Sequence, residues 1–109
     1  MTMVARLPTL FAVVTGALLL VAAPAPGAAA THVVTIEQMK YGAVPPLKAG
    51  DVVVFVNKDI FRHTVTASNG SFNLDLMPGK RESLRINTPG RAAFYCKYHP
   101  GMRGSMIAK

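Results

Sequence analysis

Residues 51–57 read DVVVFVN, an almost unbroken apolar run of four valines and a phenylalanine closed by an asparagine. β-branched and aromatic side chains suit a pleated surface, and a short apolar run bounded by turn residues reads as a buried strand. The turn-like KAGD (48–51) leads into it. Working outward, HVVTIEQM (32–39) is β-branched and partly alternating, and HTVTA (63–67) alternates and stops at SNG (68–70). SFNLDL (71–76), ESLRIN (82–87) and RAAFYC (91–96) follow, separated by MPGK (77–80) and TPG (88–90), and GSMIA (104–108) closes the series. No window sustains a helical apolar period, and there are no repeats or low-complexity linkers. About seven or eight short strands with Gly/Pro punctuation in so short a chain predict an all-β sandwich. The pattern does not specify the strand order.

The first thirty residues follow a different logic. Arg6 precedes the apolar run LFAVVTGALLLVAA (10–23), then PAPG (24–27) and three alanines, the three-part pattern of a secretory signal peptide. The run is shorter than the ~20 residues needed to span a bilayer. No cysteine lies near the cleavage region and Arg6 has no arginine beside it, which points to a Sec-type signal without lipid attachment or a twin-arginine motif. The expected division is a signal peptide over 1–30 and one domain over 31–109, periplasmic or secreted, with no stable membrane insertion after cleavage.

A domain of this size buries only ~60% of its unfolded surface and commonly needs a staple. Cys96 is the only cysteine, so an internal disulfide cannot supply it. A lone thiol in an exported chain points to another task, and a bound metal would provide both task and stability. The charge balance, 12 Lys and Arg against 5 Asp and Glu, is strongly basic. Export and the scattering of the basic residues argue against nucleic acid; an acidic protein or an anionic surface is the partner such a balance would attract, although it also suits a merely soluble surface.

The chemistry concentrates in FYCKYHPGM (94–102), which spaces Cys96, His99 and Met102 three residues apart. Pro100 disfavours a helical His99 and Gly101 eases a bend, so the segment can curl around one point. Thiolate and thioether are soft donors, and two histidines, one cysteine and a weak axial methionine form the blue-copper set. His63, at the start of the strand after the valine run, is the best candidate for the second histidine. Each residue has an ordinary alternative: a buried Cys96, a Cys–His nucleophile, surface histidines, a packing Met102. Zinc sites typically pair cysteines and do not use thioether, so zinc fits less well.

These segments resemble the small blue copper proteins, the cupredoxins, in their plastocyanin- and amicyanin-like branch. MKY (39–41), LKAGDVVVFVNKD (47–59), HTV (63–65) and YCKYHPGMRG (95–104) carry the resemblance, which spans nearly the whole mature chain. It implies a Greek-key β-sandwich with one copper held by His63, Cys96, His99 and axial Met102. It also implies that Asn57 hydrogen-bonds near the cysteine loop and ties the two ligand-bearing segments together. Lys97 and Tyr98 depart from the small hydroxyl residue and proline of the amicyanin type, Phe55 from a common tryptophan, Gly101 from a bulky residue and Arg62 from a proline. Met39, Met77 and Met106 are expected to pack, Tyr41 and Tyr95 to serve as framework, and His32 to face solvent.

The expected function is single-electron transfer between redox partners in the cell envelope, copper cycling between Cu(I) and Cu(II), with no catalysis because all four ligands come from the protein. The alternative is copper delivery or storage. A transient, acidic redox protein is the expected partner of a monomer, steered by Arg62, Lys97 and Arg103 around an electron port at His99.

Overall fold

The computed structural model describes residues 3, 5, 8, 9, 11–17 and 28–109. Arg6 and most of the expected signal segment lie outside the described residues. Within 11–17 there is no helix or strand, and Phe11, Val13 and Val14 are exposed. No helix among the described residues is long and apolar enough to cross a membrane.

The valine run forms β3 (Val52–Asn57), the centre of the first sheet. β1 (Thr31–Glu37) pairs with it in parallel, Val34 opposite Phe55 and Ile36 opposite Asn57. β6 (Arg81–Arg85) lies antiparallel on its other side, and the two-residue β2 (Lys40–Tyr41) flanks β1. The second sheet has the order β5 (Asn73–Leu76), β4 (His63–Ala67), β7 (Gly90–Tyr95), β8 (Arg103–Ala108). The chain crosses from one sheet to the other between β3 and β4, back between β5 and β6, and again between β6 and β7. This is the Greek-key sandwich expected, with β2 as the one strand the sequence pattern did not announce.

Alternation puts Val34, Ile36, Val53 and Phe55 of the first sheet against Val65, Leu74, Leu76, Phe94 and Met106 of the second, all buried. Phe94 organises this layer: its ring meets Tyr41 edge-on at 4.9 Å and Phe55 at 5.9 Å. The edge of the same ring crowds Gly104, its cross-strand partner, where a Cβ would sit 2.5 Å from two ring carbons. Only glycine admits that approach, and it fixes the hairpin that carries the metal-ligand candidates. Of the methionines, Met106 packs in the core, whereas Met77 is 52% exposed. His32 is also less exposed than expected: its Nε2 lies 3.0 Å from the buried carboxylate of Asp51. The pairing spans nineteen positions of sequence and needs the β1–β3 register to form.

Candidate metal centre

All five residues of β4 are buried. Its first, His63, is fully enclosed and presents Nδ1 to Cys96 Sγ at 3.8 Å. Cys96 follows β7, and its backbone N–H donates to the Met102 carbonyl (3.1 Å) while the Met102 N–H donates to the His99 carbonyl (2.8 Å). These two bonds curl 96–102 into a closed loop capping the β7–β8 hairpin. The curl brings His99 Nδ1 to 3.6 Å from Cys96 Sγ and the two imidazole rings to 5.0 Å. The donor atoms of His63, Cys96 and His99 all lie within 4.8 Å of one another. Met102 is buried at the end of the same loop.

The donor set fits a single ion. Ligand bonds of ~2.0–2.1 Å to nitrogen and ~2.3 Å to sulfur, meeting at tetrahedral to trigonal angles, place nitrogen and sulfur ~3.5–3.8 Å apart. The observed sulfur–nitrogen separations fall in that interval. One soft sulfur with two imidazoles, enclosed on the His63 and Cys96 side, suits copper better than a hard cation.

A carboxylate that the sequence reading did not single out completes the arrangement. Asp59 Oδ2 sits 2.9 Å from His63 Nε2, the ring nitrogen facing away from sulfur, and also accepts from the Met39 N–H. The bond to His63, followed by that from Met39, lowers the Asp59 carboxyl below its ordinary range. A carboxylate on the outer nitrogen fixes the ring's tautomer and leaves Nδ1 as an acceptor for a metal. Its one sequence signal is an acid four residues before a histidine, which becomes meaningful only once the loop between them is bent.

Asn57 holds that loop. Its Nδ2 donates to the carbonyls of Phe61 (2.7 Å) and Leu76 (3.0 Å), and its Oδ1 accepts from the Asp59 N–H. Its hydrogen bonds thus go to the segment leading to His63 and to β5, not to the cysteine loop as the resemblance implied. Position 97 offers no hydroxyl, and Thr64 supplies the tie instead: its Oγ1 accepts from the Lys97 N–H (2.8 Å) and its N–H points at Cys96 Sγ (3.3 Å). Beneath the site the Tyr41 hydroxyl donates to the Thr64 carbonyl, and burial, then the neighbouring Cys96, raises its pKa.

The rim differs from the sequence reading in one respect. Lys97 and Arg103 are exposed, but Arg62 is bound in two contacts to Asp75. Ile60 and Phe61 are exposed beside this pair, and Phe61 stands edge-on to the His99 ring at 6.1 Å.

The chain is similar to known proteins over most of its length. Residues 10–108 match the cupredoxin-like domain family. Amicyanin of Paracoccus versutus is 33% identical over 85 residues, which make up 71% of this chain; the chain spans 64% of that relative's length. The solved structure of an oxidized amicyanin mutant is similar with a TM-score of 0.62 at 29% identity, over 72% of this chain and 81% of that one. A Cu(I) amicyanin mutant is similar with a TM-score of 0.60 at 29% identity, over 72% and 82%.

Proposed function

The chain belongs to the cupredoxin-like family, and on that premise we propose that it is a type 1 (blue) copper protein carrying single electrons between redox partners in the cell envelope. The observation that carries the reading is the convergence of His63, Cys96 and His99 from two separated parts of the chain. These three would hold the ion, with Met102, buried at the end of the same loop, as a further weak ligand. Bound there, copper supplies a one-electron couple between Cu(II) and Cu(I).

The chain's own residues supply the rest. Asp59 and Asn57 fix His63 from behind, and Thr64 fixes Cys96, so the donors are placed before an ion arrives. His99, half-buried and bordered by Phe61, is the edge through which an electron reaches the surface. Lys97 and Arg103 remain to attract an acidic partner, in an encounter of the small, transient kind. The protein is a carrier and not an enzyme, acts as a monomer, and binds no nucleic acid. Residues 1–30 are removed as a Sec-type signal, leaving 31–109 periplasmic or secreted. Copper delivery or storage uses the same ligands and is the second reading; ready surrender of Cu(I) to an acceptor would favour it.

Cu(II) added to the purified protein is expected to give an intense blue absorption that Cys96→Ser abolishes. A colourless wild type overturns the proposal.

A further inference from the structure

One cluster beside the metal centre is not explained by ligation. Arg62, next to His63, makes a bidentate pair with Asp75 of β5, Nε to Oδ1 at 2.9 Å and Nη2 to Oδ2 at 2.7 Å. The hydroxyl of Tyr98, between Cys96 and His99, donates to the same Oδ2 at 3.1 Å. The Arg62 guanidinium also stands 4.9 Å from the centre of the Tyr98 ring. One carboxylate thus joins both ligand-bearing segments from outside, with a cation–π contact closing the triangle.

We propose that Arg62, Asp75 and Tyr98 form a surface lock that keeps the His99 loop closed over the copper, so that the ion is retained between electron-transfer events rather than passed on. The proposal rests on the copper reading and adds to it what decides between carrying electrons and surrendering the metal.

The loop's other attachments show why a lock matters. Among the described residues, the Tyr98–Asp75 bond is the only hydrogen bond from residues 98–101 to any part of the protein beyond the loop; the bonds of His99 stay within it. Lys97 is tied to Thr64 at the near end and Met102 is buried at the far end. Between them His99 depends on Tyr98 and on its ring contacts with Phe61 and His63. His63 and Cys96 are enclosed, so the path by which an ion leaves opens when His99 swings outward. The mutual stabilisation of the three groups agrees with the carboxyl of Asp75 being lowered, chiefly by its bond from Arg62, and the Arg62 guanidinium being raised by the same bond.

Size follows from exposure. Side chains 50% and 35% exposed make an ion pair that salt screens, and isolated surface pairs contribute little. Bidentate geometry and a third member raise this one above that baseline, so release of the lock is expected to change loop opening a few-fold rather than by orders of magnitude.

The test uses the copper-loaded, reduced protein and follows capture of Cu(I) by excess bicinchoninate. Asp75→Asn is expected to accelerate release about three- to tenfold, and Tyr98→Phe, which keeps the ring under the guanidinium, about two- to fivefold. Raising the salt concentration should speed release from the wild type and leave Asp75→Asn nearly unchanged. Variants that turn blue with Cu(II) yet release Cu(I) at the wild-type rate overturn the lock alone. Acceleration that merely tracks a fall in the denaturation midpoint of the copper-free protein also overturns it. A colourless wild type overturns the copper reading, and the lock with it.

Discussion

The two ends of β3 carry the same device put to different uses. Just before the strand, Asp51 accepts the N–H groups of Ala30 and Lys48 and lies against His32 Nε2 at 3.0 Å. Just beyond its other end, Asp59 accepts the N–H groups of Met39 and Ile60 and lies against His63 Nε2 at 2.9 Å. Each carboxylate gathers loop backbone and one imidazole, nineteen positions away for Asp51 and four for Asp59. The difference is what the second ring nitrogen faces. That of His63 faces a buried thiol and a second histidine, whereas His32 is not in the group that could hold a metal. A carboxylate–histidine pair is therefore a general fastener here, and it becomes part of a metal centre only where the fold supplies sulfur and nitrogen on the inner side.

The largest effect should come from removing an imidazole. His63 is enclosed and its ring is part of the wall, while His99 approaches the surface. His99→Gly is expected to lose the blue absorption and to recover most of it when free imidazole is added with Cu(II). His63→Gly should recover none, because the vacancy lies behind the loop. Equal rescue of both would erase the distinction between a framework ligand and a surface ligand. Next in size is the outer partner. Asp59→Asn is expected to weaken copper binding roughly 10–100-fold, the usual cost of disturbing a histidine's outer hydrogen bond. Asp51→Asn should leave copper affinity unchanged, and competition with a chelator of known affinity measures both.

These contrasts mark where sequence stops informing structure. The valine run, the strand that starts at His63 and the Cys–His–Met spacing announce their roles because each is a local pattern: burial imposes period and composition, and a tight loop imposes spacing. The observed β3 begins one residue inside the stretch singled out, and β4 coincides with it. Asp59 and Asp75 were silent because their meaning lies in a bent loop and in the β4–β5 register, where Asp75 stands opposite Thr64. Arg62 looked like a free steering charge for the same reason, since its partner is thirteen positions away. The parallel β1–β3 pairing was equally hidden, because which strands neighbour one another is settled by packing across the whole domain. Asn57 shows a subtler limit. The position kept its asparagine, but with lysine at 97 its hydrogen bonds serve the His63 side alone.

The smallest predicted effect, and the one that sharpens the comparison at its structural end, concerns acid stability. The backbone N–H groups of Ala30 and Lys48, then His32, lower the Asp51 carboxyl from 3.8 to about 2. A carboxyl whose pKa is lower in the folded than in the unfolded chain stabilises the fold fully above the unfolded value. That contribution is lost as pH falls through the folded one. In a copper-free chain that retains Ala30, the urea midpoint should therefore decline between pH 4 and pH 2 more steeply for the wild type than for Asp51→Asn. At pH 7 the variant should be the less stable, because an amide in place of the carboxylate replaces one acceptor oxygen by an NH2 group that faces N–H donors. Near pH 2, where about half of the wild-type carboxyl is protonated and most of its contribution is already lost, the two midpoints should draw together. Curves that stay parallel across the whole range would mean that the charge of Asp51 adds nothing, and that the pair at this end of β3 is held by shape alone.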